Sequence, residues 1–148
     1  MIRPDIVESI LEKPYWLIDV LPKQVPAGSA GQYFKVEEYF LSWLDELSCR
    51  FANVLIRLNC YYDLDVSTDG EEWTLNVSPE SLMLLFENSV TSHSPLFILV
   101  GSADALVYFS GDDHNTTLYN PGEELLELVR QCAQAEGLFV WGPKQNEP

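Results

Sequence analysis

The stretch VEEYFLSWLDELSCRFANVLIRL, Val36 to Leu58, decides the fold of this chain. Its apolar residues fall at Val36, Phe40, Trp43, Leu44, Leu47, Phe51, Val54, Leu55 and Leu58. Steps of three and four, doubled at two turns, are the signature of a helix that buries one face. No Pro or Gly interrupts it. Glu37, Glu38, Asp45 and Glu46 sit toward its start and Arg50 and Arg57 toward its end, the order that suits the helix dipole. A single helix of this length would run on the order of 35 Å, enough to cross a small domain. On the side away from the main stripe, Asp45 gives way to Cys49, Ala52 and Ile56. The helix is therefore expected to enter from the surface and to end enclosed on two sides. A pattern this long without internal caps also admits a break near Ser42 or Ser48.

The whole chain, 148 residues, is the size of one domain. Residues 1–142 are expected to form one α+β unit, and 143–148 a polar, frayed tail. A hydrophobic content of 47% is ample for a core. Met-Ile-Arg-Pro-Asp lacks the pattern of a secretory signal, and the strongest apolar run, Leu96 to Val100, is too short to span a bilayer. Three cysteines without regular spacing argue against a disulfide framework, so a reducing compartment, the cytoplasm, is the expected location.

Charge is lopsided. Lys and Arg number 8 against 23 Asp and Glu, a net charge of −15, and no Lys or Arg occurs between Arg57 and Arg130. A phosphate backbone or an anionic membrane surface needs exposed cations, so nucleic acid and membrane are not expected partners. A basic protein would be attracted.

Taken in order, Pro4 to Lys13 reads as a short helix, with Pro4 in the first turn and Ile6 and Ile10 on one face. Tyr15 to Leu21 reads as a strand with a single charge, Asp19. Pro22 to Gln32 is the longest connection. Within it, Gly28, Ser29 and Gly31 could offer backbone amides to an anion ahead of the long helix. No phosphate-loop motif supports this, and Glu37 and Glu38 would repel a phosphate, so a flexible connector is the expectation. Leu64 and Val66, then Trp73, Leu75 and Val77, alternate with polar residues around an Asp69-Gly70 turn and predict a hairpin. Its wet face would carry Asp63 and Asp65.

Ser78-Pro79-Glu80 predicts a helix start, with Leu82, Leu85 and Phe86 buried. Val90 to Pro95 reads as a loop. Leu96 to Val100, apolar on both faces, belongs inside a sheet. Ala105 to Phe109 and Thr116 to Tyr119 form a second hairpin, whose tip holds Asp112, Asp113 and His114. Asn120 is the expected cap of a last helix that ends at Gly137, and Leu138 to Trp141 closes the sheet. The predicted class is α+β: a mixed, mostly antiparallel sheet of five or six strands, with the long central helix and the C-terminal helix packed on it.

No catalytic motif appears. His93 and His114 lack metal-ligand spacing, no Gly-x-Ser-x-Gly occurs, and neither a metal nor a cofactor is expected. Cys49 is the expected exposed thiol, with Cys60 and Cys132 as core or edge residues. Tyr33, Tyr39 and Tyr61 fall off the apolar stripes, and exposed aromatics beside acidic groups suit protein contacts. Three readings follow. The first is a small interaction module of inhibitor or immunity type, meeting a basic protein with Asp63, Asp65, Asp69, Glu71, Glu72, Asp112 and Asp113. The second is a homo-oligomeric structural domain, for instance a homodimer, which requires an exposed apolar patch. The third is an enzyme whose carboxylates Asp63, Asp65, Asp112 and Asp113 converge in one pocket.

Overall fold

The computed structural model describes residues 4–142; the expected tail at 143–148 lies outside them. The elements are α1 (Pro4–Leu11), β1 (Tyr15–Asp19), a 3-10 turn (Ala27–Ser29), α2 (Ala30–Leu41), α3 (Leu44–Leu58), β2 (Leu64–Ser67), α4 (Pro79–Ser92), β3 (Leu96–Val100), β4 (Ala105–Phe109), β5 (Asn115–Tyr119), α5 (Glu123–Ala135) and β6 (Phe139–Trp141). The strands form one sheet of order β2-β3-β4-β5-β1-β6, and every neighbouring pair is antiparallel. The fold is α+β, with helices packed on the sheet, as the pattern of apolar residues predicted.

The continuous helix of 36–58 is two helices. Trp43 leaves the helical region at φ −126° and ψ 40°, and the Ser42 hydroxyl donates back to the Tyr39 carbonyl at 2.6 Å. A serine bonded to the preceding turn competes with the helical ladder, and the chain bends there. The two halves then differ. Leu47, Phe51, Val54, Leu55 and Leu58 of α3 are fully buried, and so is Ala52 on the opposite side, the enclosure on two sides expected from the sequence. α2 starts earlier than expected, at Ala30, so Gly28 and Ser29 form a 3-10 turn and Gly31 is helical rather than part of a flexible connector.

One face of the sheet, through Leu64, Val66, Leu96, Ile98, Val100, Val107, Phe109 and Leu118, meets α3, α4 and α5 in the main core. At its centre Phe109 stacks on Phe86 of α4 with ring centroids 4.9 Å apart, and meets Phe51 of α3 at 5.7 Å. The other face is covered more sparsely: Leu99 and Leu106 pack against Val7 and Ile10 of α1 and against Trp73. The two-faced apolar character of Leu96 to Val100 follows, since successive residues feed the two cores.

The first predicted hairpin is not a ladder. Residues 73–77 meet one edge of β2 only at the Val66–Thr74 bridge and at Val77 N, which donates to the Leu64 carbonyl at 3.0 Å, while the other edge of β2 pairs with β3. Side chains redirect the chain here. The Ser67 hydroxyl accepts from Gly70 N at 2.8 Å, and Asp69 Oδ1 accepts from Glu71 N and Glu72 N at 2.8 and 3.0 Å, so the turn consumes amides that a tight hairpin would use. Trp73 and Val77 are buried while Leu75 is 52% exposed.

The predicted start of α4 is present: Ser78 Oγ accepts from Ser81 N at 3.2 Å, with Pro79 in the first turn. α4 runs on to Ser92, which shortens the expected loop, and ends at His93 in the left-handed region. Strand β1 stops at Asp19 rather than Leu21. Asn120 does not cap α5. It sits at φ 59° and its amide donates to the Asp104 carbonyl, which leaves Gly122 at the cap position. Gly111, at φ +89°, lets the β4–β5 turn lie against the end of α4; an added Cβ would stand 2.7 Å from the Ser89 carbonyl oxygen.

Candidate interaction site

The strand register locates the acidic residues. Leu64 pairs with Val100, and Leu96 pairs with Phe109, so Asp63 lies at one end of β3 and the Asp112–Asp113 turn at the other. The five residues between them span about 17 Å. Asp65 is occupied by the Asn76 N–H at 2.8 Å. Asp63, Asp65, Asp112 and Asp113 therefore do not converge. Among the described residues no group of three or more His, Cys, Asp or Glu is placed to hold a metal ion. Asp69 follows β2 at the Asp112 end, since Ser67 pairs with Phe97. That end of the sheet gathers Asp69, Asp112 and Asp113. Asp69 is held below the usual carboxylate range by the N–H groups of Glu72 and Glu71 and by the Ser67 hydroxyl. Asp112 meets His93 Nδ1 at 2.6 Å, and Asp113 accepts from the Ser110 hydroxyl at 3.2 Å. Glu71 and Glu72 are exposed beside this turn.

The same end holds a buried polar network that the sequence did not reveal. Asp19 ends β1 opposite Asn115, and His114 immediately precedes it. Both are nearly inaccessible, at 2% and 4% exposure. His114 Nδ1 lies 3.0 Å from Asp19 Oδ1, and its Nε2 lies 3.1 Å from Glu37 Oε2 and 2.9 Å from the Tyr33 hydroxyl, both on α2. The indole N–H of Trp141 and the Val20 N–H donate to the two oxygens of Asp19. The hydrogen bond to Asp19 comes first, with the charges of Asp19 and Glu37 behind it; together they raise His114 above the ordinary imidazole value against the opposing effect of burial. Burial foremost, then Glu37, Asp19 and Asp113, push the Tyr33 phenol up to about 12. Tyr33 is therefore a protonated donor, satisfied by Glu37 at 3.1 Å. Both His114 nitrogens and both Asp19 oxygens are engaged, so the network is closed on itself and presents no nucleophile. Its one signal in the sequence is Asp19, a lone charge in an apolar strand.

This network is the principal tie between α2 and the sheet. No side chain of α2 from Gly31 to Leu41 is buried. Phe34 is 62% exposed and Tyr39 63%, and Val36 is exposed too; at about 100° per residue Phe34 and Val36 stand on opposite flanks of the helix, with Tyr39 on its outer side. Tyr39, Phe40 and Trp43 form a run of ring contacts, centroids 5.1–6.1 Å apart, along the outer side of the bend. Tyr33 and Phe34 also edge a cleft of about 360 Å³ whose other walls include Leu17, Leu21, Val25 and Trp141, with Lys23 at its rim. Tyr61, the third aromatic off the stripes, is 68% exposed after α3, away from this surface at the Asp63 end.

The exposed thiol is Cys60. Cys49 is half-buried and pushed up by burial, and Cys132 is buried. α3 turns Cys49 toward α4, where Glu87 also acts on it, which is why helix geometry alone misplaced it. No helix among the described residues is long and apolar enough to cross a membrane. No protein-family model, curated protein or solved structure matches this chain.

Proposed function

We propose that this protein is an interaction module that binds a basic protein with the exposed aromatic residues of α2 and the acidic end of the sheet beside it. The observation that carries the reading is α2 itself: a twelve-residue helix with no buried side chain from Gly31 onward, which turns Phe34, Val36 and Tyr39 to solvent. A short helix that keeps three large apolar side chains in water has surface to bury against a partner. Aromatic anchors ringed by charge are the usual energetic centre of an interface. The charge specifies the partner. Asp69, Asp112 and Asp113 lie at this end, no Lys or Arg occurs between Arg57 and Arg130, and Arg57 is already paired with Glu136. All three cysteines are free, which fits action in a reducing compartment such as the cytoplasm.

A second reading is favoured by the same exposed patch: self-association through α2. Salt separates the two, because screening weakens attraction to a basic partner and relieves repulsion between two acidic copies. The test is capture from source lysate at low and high salt, run in parallel with Phe34→Ala/Tyr39→Ala, and molar mass by light scattering at both salts. A basic protein held at low salt, shed at high salt and lost at least roughly tenfold with the double variant supports the proposal. Equal capture by the double variant, or dimers that strengthen with salt and no captured protein, overturns it.

A further inference from the structure

We propose that His114 is a proton-operated latch for α2: as imidazolium it clamps Glu37 and Tyr33 and fixes the helix against the sheet, and as neutral imidazole it lets the helix go. This names the regulation of the surface proposed above and rests on that reading, but its test needs no partner.

The two carboxylate contacts call for the charge. Nδ1 faces a carboxylate oxygen of Asp19 and Nε2 faces a carboxylate oxygen of Glu37. Carboxylates only accept, so both contacts are hydrogen bonds only when both ring nitrogens carry protons. Removal of one proton leaves the Nδ1–H on Asp19, whose other oxygen is held by Trp141. The bare Nε2 lone pair then points at Glu37. Attraction becomes repulsion, and Tyr33 can turn its single proton to Nε2 or to Glu37 but not to both. The groups facing His114 are Asp19 from β1, Glu37 and Tyr33 from α2, and Asp113 from its own turn, which acts on Tyr33. No cation replaces the lost imidazolium among them. α2 answers to this change because no side chain from Gly31 onward is fully buried, and only its C-terminal end, through half-buried Phe40 and Leu41, is held otherwise.

The sign is fixed by the direction of the shift. His114 is raised in the folded protein, so the clamp is complete below the ordinary imidazole value and is lost as pH rises through the folded value. Lys35, exposed in α2, supplies the readout. Trypsin cleavage after Lys35 is followed across pH 6–9, scaled to a short reference peptide at each pH and to cleavage after Arg57 in α3, which reports global opening. His114 is followed by NMR over the same range. In the wild type, cleavage after Lys35 should rise roughly tenfold to a hundredfold with the His114 titration, the size expected for loss of a charge-assisted bond, while cleavage after Arg57 stays low. His114→Gln should remove the pH dependence. Glu37→Gln, at a half-exposed site, should keep the fold and move both the His114 midpoint and the cleavage transition to lower pH. Flat wild-type cleavage while His114 titrates, or an unchanged transition in Glu37→Gln, overturns the latch.

Discussion

Phe109 is where the architecture can be tested most sharply. Its ring is fully buried, stacked on Phe86 and angled against Phe51, so one side chain joins β4 to α4 and α3. Phe109→Ala removes the ring from the middle of the main core, and the neighbours come from three separate elements that cannot all collapse into the space. Buried Phe→Ala changes of this kind cost about 3–5 kcal/mol. Against a total stability of about 5–15 kcal/mol that is a large fraction. With a urea slope of about 2 kcal/mol/M, the unfolding midpoint should fall by about 1.5–2.5 M with the slope unchanged. Urea titration followed by far-UV circular dichroism reads this directly. Leu84→Ala, at a residue 59% exposed on α4, serves as the control and should cost less than about 0.5 kcal/mol. The stacked pair adds a second number: a double-mutant cycle between Phe109 and Phe86 should give a coupling of about 0.5–1.5 kcal/mol beyond the area lost. If Phe109→Ala costs less than about 1 kcal/mol, or no more than Leu84→Ala, the helices do not pack on this face of the sheet as described.

Three further outcomes follow from local geometry. The urea midpoint of the wild type relative to His114→Gln should be highest below the ordinary imidazole value and should shrink as pH rises through the raised folded value, since the clamp stabilises only while protonated; a gap that grows with pH would reverse the argument. Gly111→Ala should destabilise by more than about 2 kcal/mol in thermal unfolding, because φ is +89° and the new Cβ would meet the Ser89 and Ser94 carbonyl oxygens at 2.7 and 2.8 Å. Among the thiols, Cys60 should react with maleimide first and Cys132 only as fast as the fold opens, as peptide mass mapping of timed samples would show; prior labelling of Cys49 would contradict its burial against α4.

The elements were legible where a local rule and the tertiary setting agree. Ser78-Pro79 supplies a helix start, the run Leu96 to Val100, apolar on both faces, falls inside the sheet, and Ala105 to Phe109 pairs with the strand that returns to Tyr119, as expected. The failures come where side chains outcompete the pattern. Asp69-Gly70 predicted a hairpin, but the Ser67 and Asp69 oxygens captured the amides of residues 70–72, and the returning segment meets β2 only at Val66–Thr74 and Val77–Leu64, on the edge away from β3. The apolar spacing through Val36 to Leu58 described two helices as one, because it cannot register the bend at Trp43. The candidate site was the least legible part. Asp19 and His114 are 95 positions apart, and Glu37 and His114 are 77 apart. They meet only because β1 crosses the chain to pair with β5. Tyr33 and Tyr39 were visible as residues off the stripe, but Phe34 was not, and Val36, read as part of the buried stripe, is exposed; the acidic group divided, with Asp63 at the far end of the sheet and Asp65 on a backbone amide.

That crossing has a consequence for how the chain is made. β1 lies between β5 and β6, with Tyr15 opposite Tyr119 and Leu17 opposite Trp141. Its partners are synthesised about a hundred residues or more after it. At about 5–20 residues per second, Tyr-Trp-Leu-Ile waits roughly 5–20 s on the ribosome with neither edge paired. An apolar strand idle for that long is a target for holding factors and for illicit pairing with a neighbouring nascent chain. The half of the sheet that positions Asp19 can assemble only after β5 and β6 have been made, so a stop just ahead of Phe139 would release a chain with β1 bare on one side.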